Sequence, residues 1–109
     1  MTNKDLKLPK NPTLKDFQEY ELKMEKIRGF YGQNILEKCI LLGEEVGELF
    51  ESVRKSRKIK IDEKTKVDPT FYEVADVFIL ILAICNTLGI DLEEAFREKE
   101  KYNKKRKWK

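Results

Sequence analysis

The segment that most constrains the fold is "DPTFYEVADVFILILAICNTLG", which spans residues 68–89 and is apolar over most of its length. Its inner run "VFILILAIC" has no polar position, so hydrophobic periodicity alone cannot separate a buried strand from a buried helix. The flanks favour a helix, which can begin at "DP" or at the capping pattern "TFYE" and end at Gly89. About twenty residues is also too long for an ordinary strand. We therefore predict a helix that is apolar on every side and buried against several partners.

Three further helices are predicted from capping residues, each followed three positions later by an acidic one. The pairs are Thr13 with Asp16, Asn34 with Glu37, and Asp91 with Glu94. Four helices and no convincing strand predict an all-α protein with a four-helix bundle-like core. At 109 residues the chain is long enough for one domain, which we place at residues 13–109. Residues 1–12 are polar and are predicted to form a flexible tail.

The first two helices each carry an apolar stripe with helical spacing, which indicates a face directed to the core. In the first helix the stripe consists of Phe17, Tyr20, Met24, Ile27 and Tyr31. In the second helix it consists of Ile35, Cys39, Leu42, Val46, Leu49, Phe50 and Val53.

The composition excludes several classes of function. The sequence has no histidine, which removes the usual general base, the usual zinc ligand and every Ser-His or Cys-His nucleophile pair. The formal net charge of +3 gives no overall field that indicates nucleic acid, so no stable nucleic-acid partner is expected. The absence of an N-terminal apolar region and the two lone cysteines favour a cytoplasmic protein. The longest apolar run is about half a membrane span, so no membrane partner is expected.

Acidic residues crowd one flank of the second helix. Glu44, Glu45 and Glu48 share that flank, Glu51 lies close to Glu44, and Glu45 lies nearest the core stripe. Like charges spaced in this way repel one another by a few tenths of a kcal/mol when exposed. A solvated acidic face explains these residues if they are considered alone.

A second acidic pair lies in the apolar third helix and changes this interpretation. Glu73 can belong to a capping box, but Asp76 lies between Ala75 and Val77 and has no such explanation. A buried carboxylate must be protonated, paired with a cation or bound to a metal, and a structural salt bridge remains an alternative. Two antiparallel helices that each offer an acidic pair can meet across one groove. Such oxygen ligands suit Mg²⁺, or Mn²⁺, and imply a phosphorylated substrate.

The C-terminal segment "REKEKYNKKRKWK" is strongly basic. Lys99, Asn103 and Arg106 follow one another at helical spacing and can bind the phosphates of a metal-bound substrate. A frayed, soluble helix end or a nonspecific polyanion-binding tail is the simpler alternative.

Three of these segments, "GEEVGELFE", "EVADVFILIL" and "KEKYNKKRKW", resemble the MazG-like all-α nucleoside triphosphate pyrophosphohydrolases. The family signature E-E-x-x-E followed by E-x-x-D is intact, and the later K-x-x-x-N-x-x-R pattern matches as well. The resemblance implies Mg²⁺-dependent cleavage of nucleoside triphosphates between the α- and β-phosphates. It also implies a homo-oligomer, dimer or tetramer, with sites completed at subunit interfaces.

The resemblance also implies residue roles. Glu45, Glu48, Glu73 and Asp76 would be metal ligands, and Glu44 would be an accessory group that orients water or a ligand. The catalytic acids are thus expected among Glu44, Glu45 and Glu48. Base contacts are expected from aromatic residues on the side of the first helix, which are also candidates for the core. These are Phe17, Tyr20, Phe30 and Tyr31.

Two other functions are compatible with the sequence. One is a noncatalytic helical module that binds a protein partner through acidic and basic faces. The other is a nucleic-acid-binding protein that uses the basic loop and tail, whose affinity would fall steeply with salt.

Overall fold

The computed structural model describes residues 1–108, which contain four α-helices and no β-strand. The helices are α1 (Leu14–Arg28), α2 (Ile35–Ser56), α3 (Thr70–Leu88) and α4 (Leu92–Lys104). The predicted all-α class is therefore confirmed. Lys109, the last residue of the predicted domain, lies outside the described residues.

The helix starts follow the predicted capping chemistry. Thr13 Oγ1 accepts a hydrogen bond of 3.1 Å from the Asp16 amide, and Asp16 Oδ2 accepts one of 2.8 Å from the Thr13 amide. Asn34 with Glu37 forms the same reciprocal box, and Asp91 accepts from the Glu94 amide. These bonds satisfy amides that have no partner inside the helix.

α3 begins after Pro69 with no side-chain cap and ends at Gly89, whose φ of 68° is left-handed. Pro69 of the predicted start at "DP" is therefore the N-cap rather than the first helical residue, and Glu73 does not act in a capping box. The end at Gly89 is as predicted, because glycine adopts this left-handed backbone without a Cβ clash.

α3 occupies the centre of the fold, where it packs against α2 and α1, while α4 contacts α1. Its C-terminal half supplies most of the buried apolar residues, Leu82, Ala83 and Cys85, and α1 adds Met24. Gln18 on α1 fixes the start of α4, because its side chain accepts from the Leu92 amide and donates to the Ile90 carbonyl.

The predicted core face of α2 is wrong in part. Cys39, Phe50 and Val53 are exposed, whereas Lys38 and Ser52 are buried. Lys38, Glu45 and Ser52 are seven residues apart and share the face that meets the other helices. α2 is apolar on more than one side, so the apolar pattern alone does not select the side that packs within the chain.

The prediction that α3 is buried against several partners is not met within one chain. Phe71 and Val74 near its start and Leu88 at its end are exposed. The radius of gyration is 17.0 Å, whereas a compact domain of this length would have about 13 Å. By length and composition alone α3 could cross a membrane, a test that core helices of soluble proteins also pass.

The N-terminal residues contain one short 3₁₀ turn at Asn3–Asp5. Arg28 Nε donates a hydrogen bond of 3.2 Å to Asn3 Oδ1, which joins this turn to the end of α1. The flexible tail at residues 1–12 stays a prediction.

Candidate active site

Three of the predicted metal ligands meet where α2 crosses the first half of α3. Glu45, Glu73 and Asp76 each offer one carboxylate oxygen, and these oxygens lie within 4.8 Å of one another. Glu48 is adjacent, because its carboxylate is close enough to Glu45 and Glu73 to raise the pKa of both. The fold thus brings all four predicted ligands to one place.

The capping-box and salt-bridge explanations for these acids do not hold for the described residues, whereas Glu48 is exposed to solvent. Glu73 belongs to no capping box, and no lysine or arginine within residues 1–108 forms a salt bridge with any of the four carboxylates. Glu45 Oε2 and Glu73 Oε2 are buried and have no hydrogen-bond partner. Buried carboxylate oxygens without a partner are costly, so these two oxygens require either a bound cation or a proton shared with a neighbouring carboxyl group.

The electrostatics of the cluster also show that its carboxylates lack a compensating positive charge. Burial raises the pKa of Glu45 to about 7, and the negative charges of Glu48, Asp76 and Glu73 add to this effect. The pKa of Glu73 is raised as well, by burial first and then by Glu48 and Asp76. Converging carboxylates raise one another's pKa unless a cation compensates them.

The donor set fits a hard divalent cation. Every potential ligand is a carboxylate oxygen, the group that Mg²⁺ and Mn²⁺ prefer over nitrogen or sulfur. The two unpartnered oxygens are available for coordination. Glu45, Glu48, Glu73 and Asp76 can therefore hold such an ion without breaking an existing ion pair.

A cavity of about 360 Å³ opens beside the cluster, between α1, α2 and α3. Glu45 and Asp76 form part of its wall, so a ligand in the cavity would touch the metal-binding acids directly. The remaining wall combines an apolar floor with polar groups from α1 and the loop after it. These residues are Glu21, Met24, Glu25, Arg28, Phe30, Gln33, Leu41, Ile79, Leu80 and Ala83.

Comparison with known proteins assigns the chain to a family. Residues 33–109 match the MazG nucleotide pyrophosphohydrolase domain. The chain belongs to the MazG family. It is also 42% identical over 65 residues to a protein named dATP/dGTP diphosphohydrolase from Cyanophage S-2L, in a match that covers 60% of this chain. The match spans 50% of the length of that curated relative.

The other acids of the MazG signature helix lie outside the cluster. Glu44 is exposed and neither lines the cavity nor belongs to the three-carboxylate group. Glu51 forms an exposed ion pair with Lys55, whose ammonium lies 2.6 Å away and lowers the pKa of Glu51. Glu44 remains a candidate accessory group, and Glu51 is occupied by its lysine partner.

The predicted phosphate-binding residues lie on or just after α4. Lys99 and Asn103 are in the helix, whereas Arg106 follows its end, so the three do not share one continuous helical face. Lys99 Nζ lies 4.8 Å from the ring centre of Tyr102, and Arg106 packs over Trp108. Asn103 Oδ1 is buried without a partner. Their contact with phosphate stays a prediction.

The predicted base contacts are dispersed. Phe17 packs edge-on against Phe78 at a ring distance of 5.6 Å, which makes it a core residue in this chain. Tyr31 is exposed beneath Lys26, and Tyr20 lines a small cleft together with residues of the N-terminal segment. Phe30 alone among the four aromatic candidates lines the cavity within the described residues. The sequence analysis did not predict that Glu21 and Glu25 line the same cavity, because the apolar stripe of α1 indicated other positions as the buried ones.

Proposed function

We propose that this MazG protein hydrolyses nucleoside triphosphates between the α- and β-phosphates, releasing a monophosphate and pyrophosphate. The observation that carries the proposal is the convergence of three carboxylates, with Glu48 next to them, without a compensating cation beside an open cavity. Glu45, Glu48, Glu73 and Asp76 would hold Mg²⁺, or Mn²⁺ in its place. When bound, the metal would neutralise the charge of the triphosphate and lower the pKa of a coordinated water.

The chemical step would combine the acids of this site with Glu44 and the predicted phosphate-binding residues of α4. The oxygen of a water molecule would form a bond to the α-phosphorus as the bond to the bridging oxygen breaks, so that pyrophosphate leaves. A carboxylate would accept the proton of the water, and Glu44 is our candidate because it is not needed as a ligand. Lys99, Asn103 and Arg106 would bind the leaving pyrophosphate and stabilise its charge.

For the substrate we propose deoxynucleoside triphosphates, with the purine nucleotides as the first candidates. The support is the relative named dATP/dGTP diphosphohydrolase, and the room that the cavity offers beside the acids. In a cell this activity would remove or balance nucleotides in the free pool. The cysteines Cys39 and Cys85 are free, which agrees with the reducing cytoplasm that we propose as its location.

We also propose that the protein is a homo-oligomer, dimer or tetramer. Large apolar side chains remain exposed along α2 and α3 of the single chain, among them Leu36, Ile40 and Phe50 on α2 and Phe71 and Val74 on α3. Clustered apolar exposure of this kind indicates a protein–protein interface, and a second copy of the chain offers a matching surface. We propose that in such an oligomer a partner's basic α4 segment completes the site.

Release of pyrophosphate tests the proposed activity. Purified protein is incubated with each nucleoside and deoxynucleoside triphosphate and Mg²⁺, and pyrophosphate and orthophosphate are quantified separately. We expect pyrophosphate with the monophosphate as co-product. Glu48→Gln and Asp76→Asn should abolish turnover while far-ultraviolet circular dichroism shows intact helices. Orthophosphate as the product, or no turnover of any nucleotide, would leave the noncatalytic interaction module as the better explanation.

A further inference from the structure

The end of the cavity away from the metal-binding acids has two buried carboxyl groups of its own. Glu21 and Glu25 lie one turn apart on α1, and their residues are only 2% and 4% exposed. Both line the cavity. The metal cluster does not use either residue, so their place in this wall requires a separate explanation.

Glu21 is held in one orientation by α3. Asn86 Nδ2 donates a hydrogen bond of 3.2 Å to Glu21 Oε1 and another of 2.8 Å to the Gln18 carbonyl. Gln18 Nε2 in turn donates to Asn86 Oδ1 at 3.1 Å, which fixes the Asn86 amide. Glu21 Oε2 is buried and has no hydrogen-bond donor. Asn86 therefore anchors one oxygen, and the other lies beside the Glu25 carboxyl group, which has no donor to offer it when both groups are ionised.

The neighbouring cation does not satisfy Glu21. Lys38 Nζ lies 2.9 Å from Glu25 Oε1 and 3.2 Å from Glu25 Oε2, and it also donates to Thr87 Oγ1. Two carboxyl groups thus share one lysine, which is engaged with Glu25. When Glu21 is ionised, its second oxygen would be satisfied by an N–H donor supplied by a ligand, since unsatisfied buried acceptors are costly.

The position of Glu21 indicates which part of a nucleotide would supply this donor. Its partner Asn86 lies about 15 Å along α3 from Asp76, at the helical rise of 1.5 Å per residue. If the phosphates bind at Asp76, as in the proposed function on which this step rests, the sugar follows and the base lies farthest away. The base thus reaches the Glu21 end of the cavity.

We propose that Glu21 determines base specificity by accepting a hydrogen bond from an exocyclic amino group of the nucleobase. Adenine and cytosine carry such a group where hypoxanthine and uracil carry a carbonyl oxygen. A site built around a hydrogen bond at this position discriminates strongly against a ligand that places a carbonyl oxygen there, because two acceptors then face each other. Nucleotides with the amino group are therefore preferred to their carbonyl counterparts.

Kinetics on matched substrate pairs test the contact. We compare kcat/KM for dATP with dITP and for dCTP with dUTP, at about pH 9, where Glu21 is ionised because its pKa is about 8. The amino member of each pair should be favoured about 10- to 100-fold, as expected for one hydrogen bond to a charged group. At lower pH the amino group binds with release of the Glu21 proton, which reduces the preference.

Glu21→Gln is the variant that tests the contact most directly. Because Asn86 donates to Oε1, the glutamine carbonyl must face Asn86, and its NH₂ group replaces the free oxygen. The preference should then reverse in favour of dITP and dUTP. Glu19→Gln, an exposed position on the same helix outside the cavity, is the matched control and should leave both ratios unchanged.

Calorimetric titration of the products dAMP and dIMP gives a readout that does not need turnover, and it should show the same reversal of affinity. An unchanged ratio in a folded, active Glu21→Gln protein would overturn the contact. The contact would also be overturned if Glu21→Gln changed only the kcat/KM ratio of dATP to its 2′,3′-dideoxy analogue. The donor would then be the sugar hydroxyl. Failure of the wild type to release pyrophosphate would instead contradict the proposed function.

Discussion

Lys38 on α2 forms a buried ion pair with Glu25 on α1, with Lys38 Nζ 2.9 Å from Glu25 Oε1. The same ammonium donates a hydrogen bond of 2.6 Å to Thr87 Oγ1 on α3. The side chains of Lys38 and Glu25 are only 4% and 5% exposed. Lys38 thus connects α2 with both α1 and α3 next to the proposed base pocket. The other ion pairs within residues 1–108 each join neighbouring turns of one helix.

Lys38→Met should destabilise the protein strongly, because it leaves the Glu25 carboxylate buried without a partner. The expected loss in the free energy of unfolding is about 3–5 kcal/mol, measured by urea denaturation. The double variant Lys38→Met with Glu25→Gln should recover most of this loss. Arg97→Met removes an exposed pair with Glu93 and is the control, with little measurable effect. Equal losses in the two single variants would contradict a special role for the buried pair.

Removing one acid from the cluster should stabilise the metal-free protein. In Asp76→Asn the repulsion among the cluster carboxylates falls, so the melting temperature without metal should rise. Mg²⁺ should stabilise the wild type by about 3 kcal/mol at about 100 times its Kd and should not stabilise the variant. Differential scanning fluorimetry with Mg²⁺ or EDTA measures both effects, and Glu63→Gln in the exposed loop is the control. A melting temperature of Asp76→Asn that still rises with Mg²⁺ would remove Asp76 from the ligand set.

The sequence predicts the helix ends better than the helix faces. Thr13, Asn34 and Asp91 were identifiable as caps because each bonds to an amide only three residues away. Burial of Lys38 was not predictable, since it depends on Glu25 and Thr87, which come from two other helices. A helix with several apolar sides does not show which side packs within the chain.

The candidate site was predictable to a similar extent. Asp76 was recognisable because a carboxylate in the apolar helix α3 requires a partner. The acids of α2 became candidates only together with it. Their meeting within 4.8 Å follows from the packing of α2 on α3, which no local pattern encodes. Glu21 could have been noticed for the same reason as Asp76, as a carboxyl group flanked by the apolar stripe of α1. It was missed because acids are common on surface helices.

Phe71→Ser should weaken the proposed oligomer without unfolding the chain. The Phe71 side chain is 82% exposed in the single chain, so its replacement removes little packing within one subunit. Loss of an aromatic anchor from an interface typically costs about 2 kcal/mol, or about thirtyfold in Kd. Size-exclusion chromatography with light scattering measures the change in mass with concentration. Ile59→Ser, at an exposed loop residue, should leave the mass unchanged, and a monomeric wild type would contradict the proposed assembly.

The stability of the protein should fall with rising pH in a way that depends on Glu21. Burial, together with the adjacent Glu25, raises its pKa to about 8 from an ordinary value of 4.5. Because the folded state holds the proton more tightly, the stabilisation is fully present below about pH 4.5 and is lost as the pH rises through 8. Glu21→Gln retains a neutral hydrogen-bonding group, so its free energy of unfolding should exceed that of the wild type by a few kcal/mol at about pH 9. Urea denaturation between about pH 5 and pH 9 gives the difference, which should vanish towards the acidic limit. A difference independent of pH would show that Glu21 is ionised throughout this range.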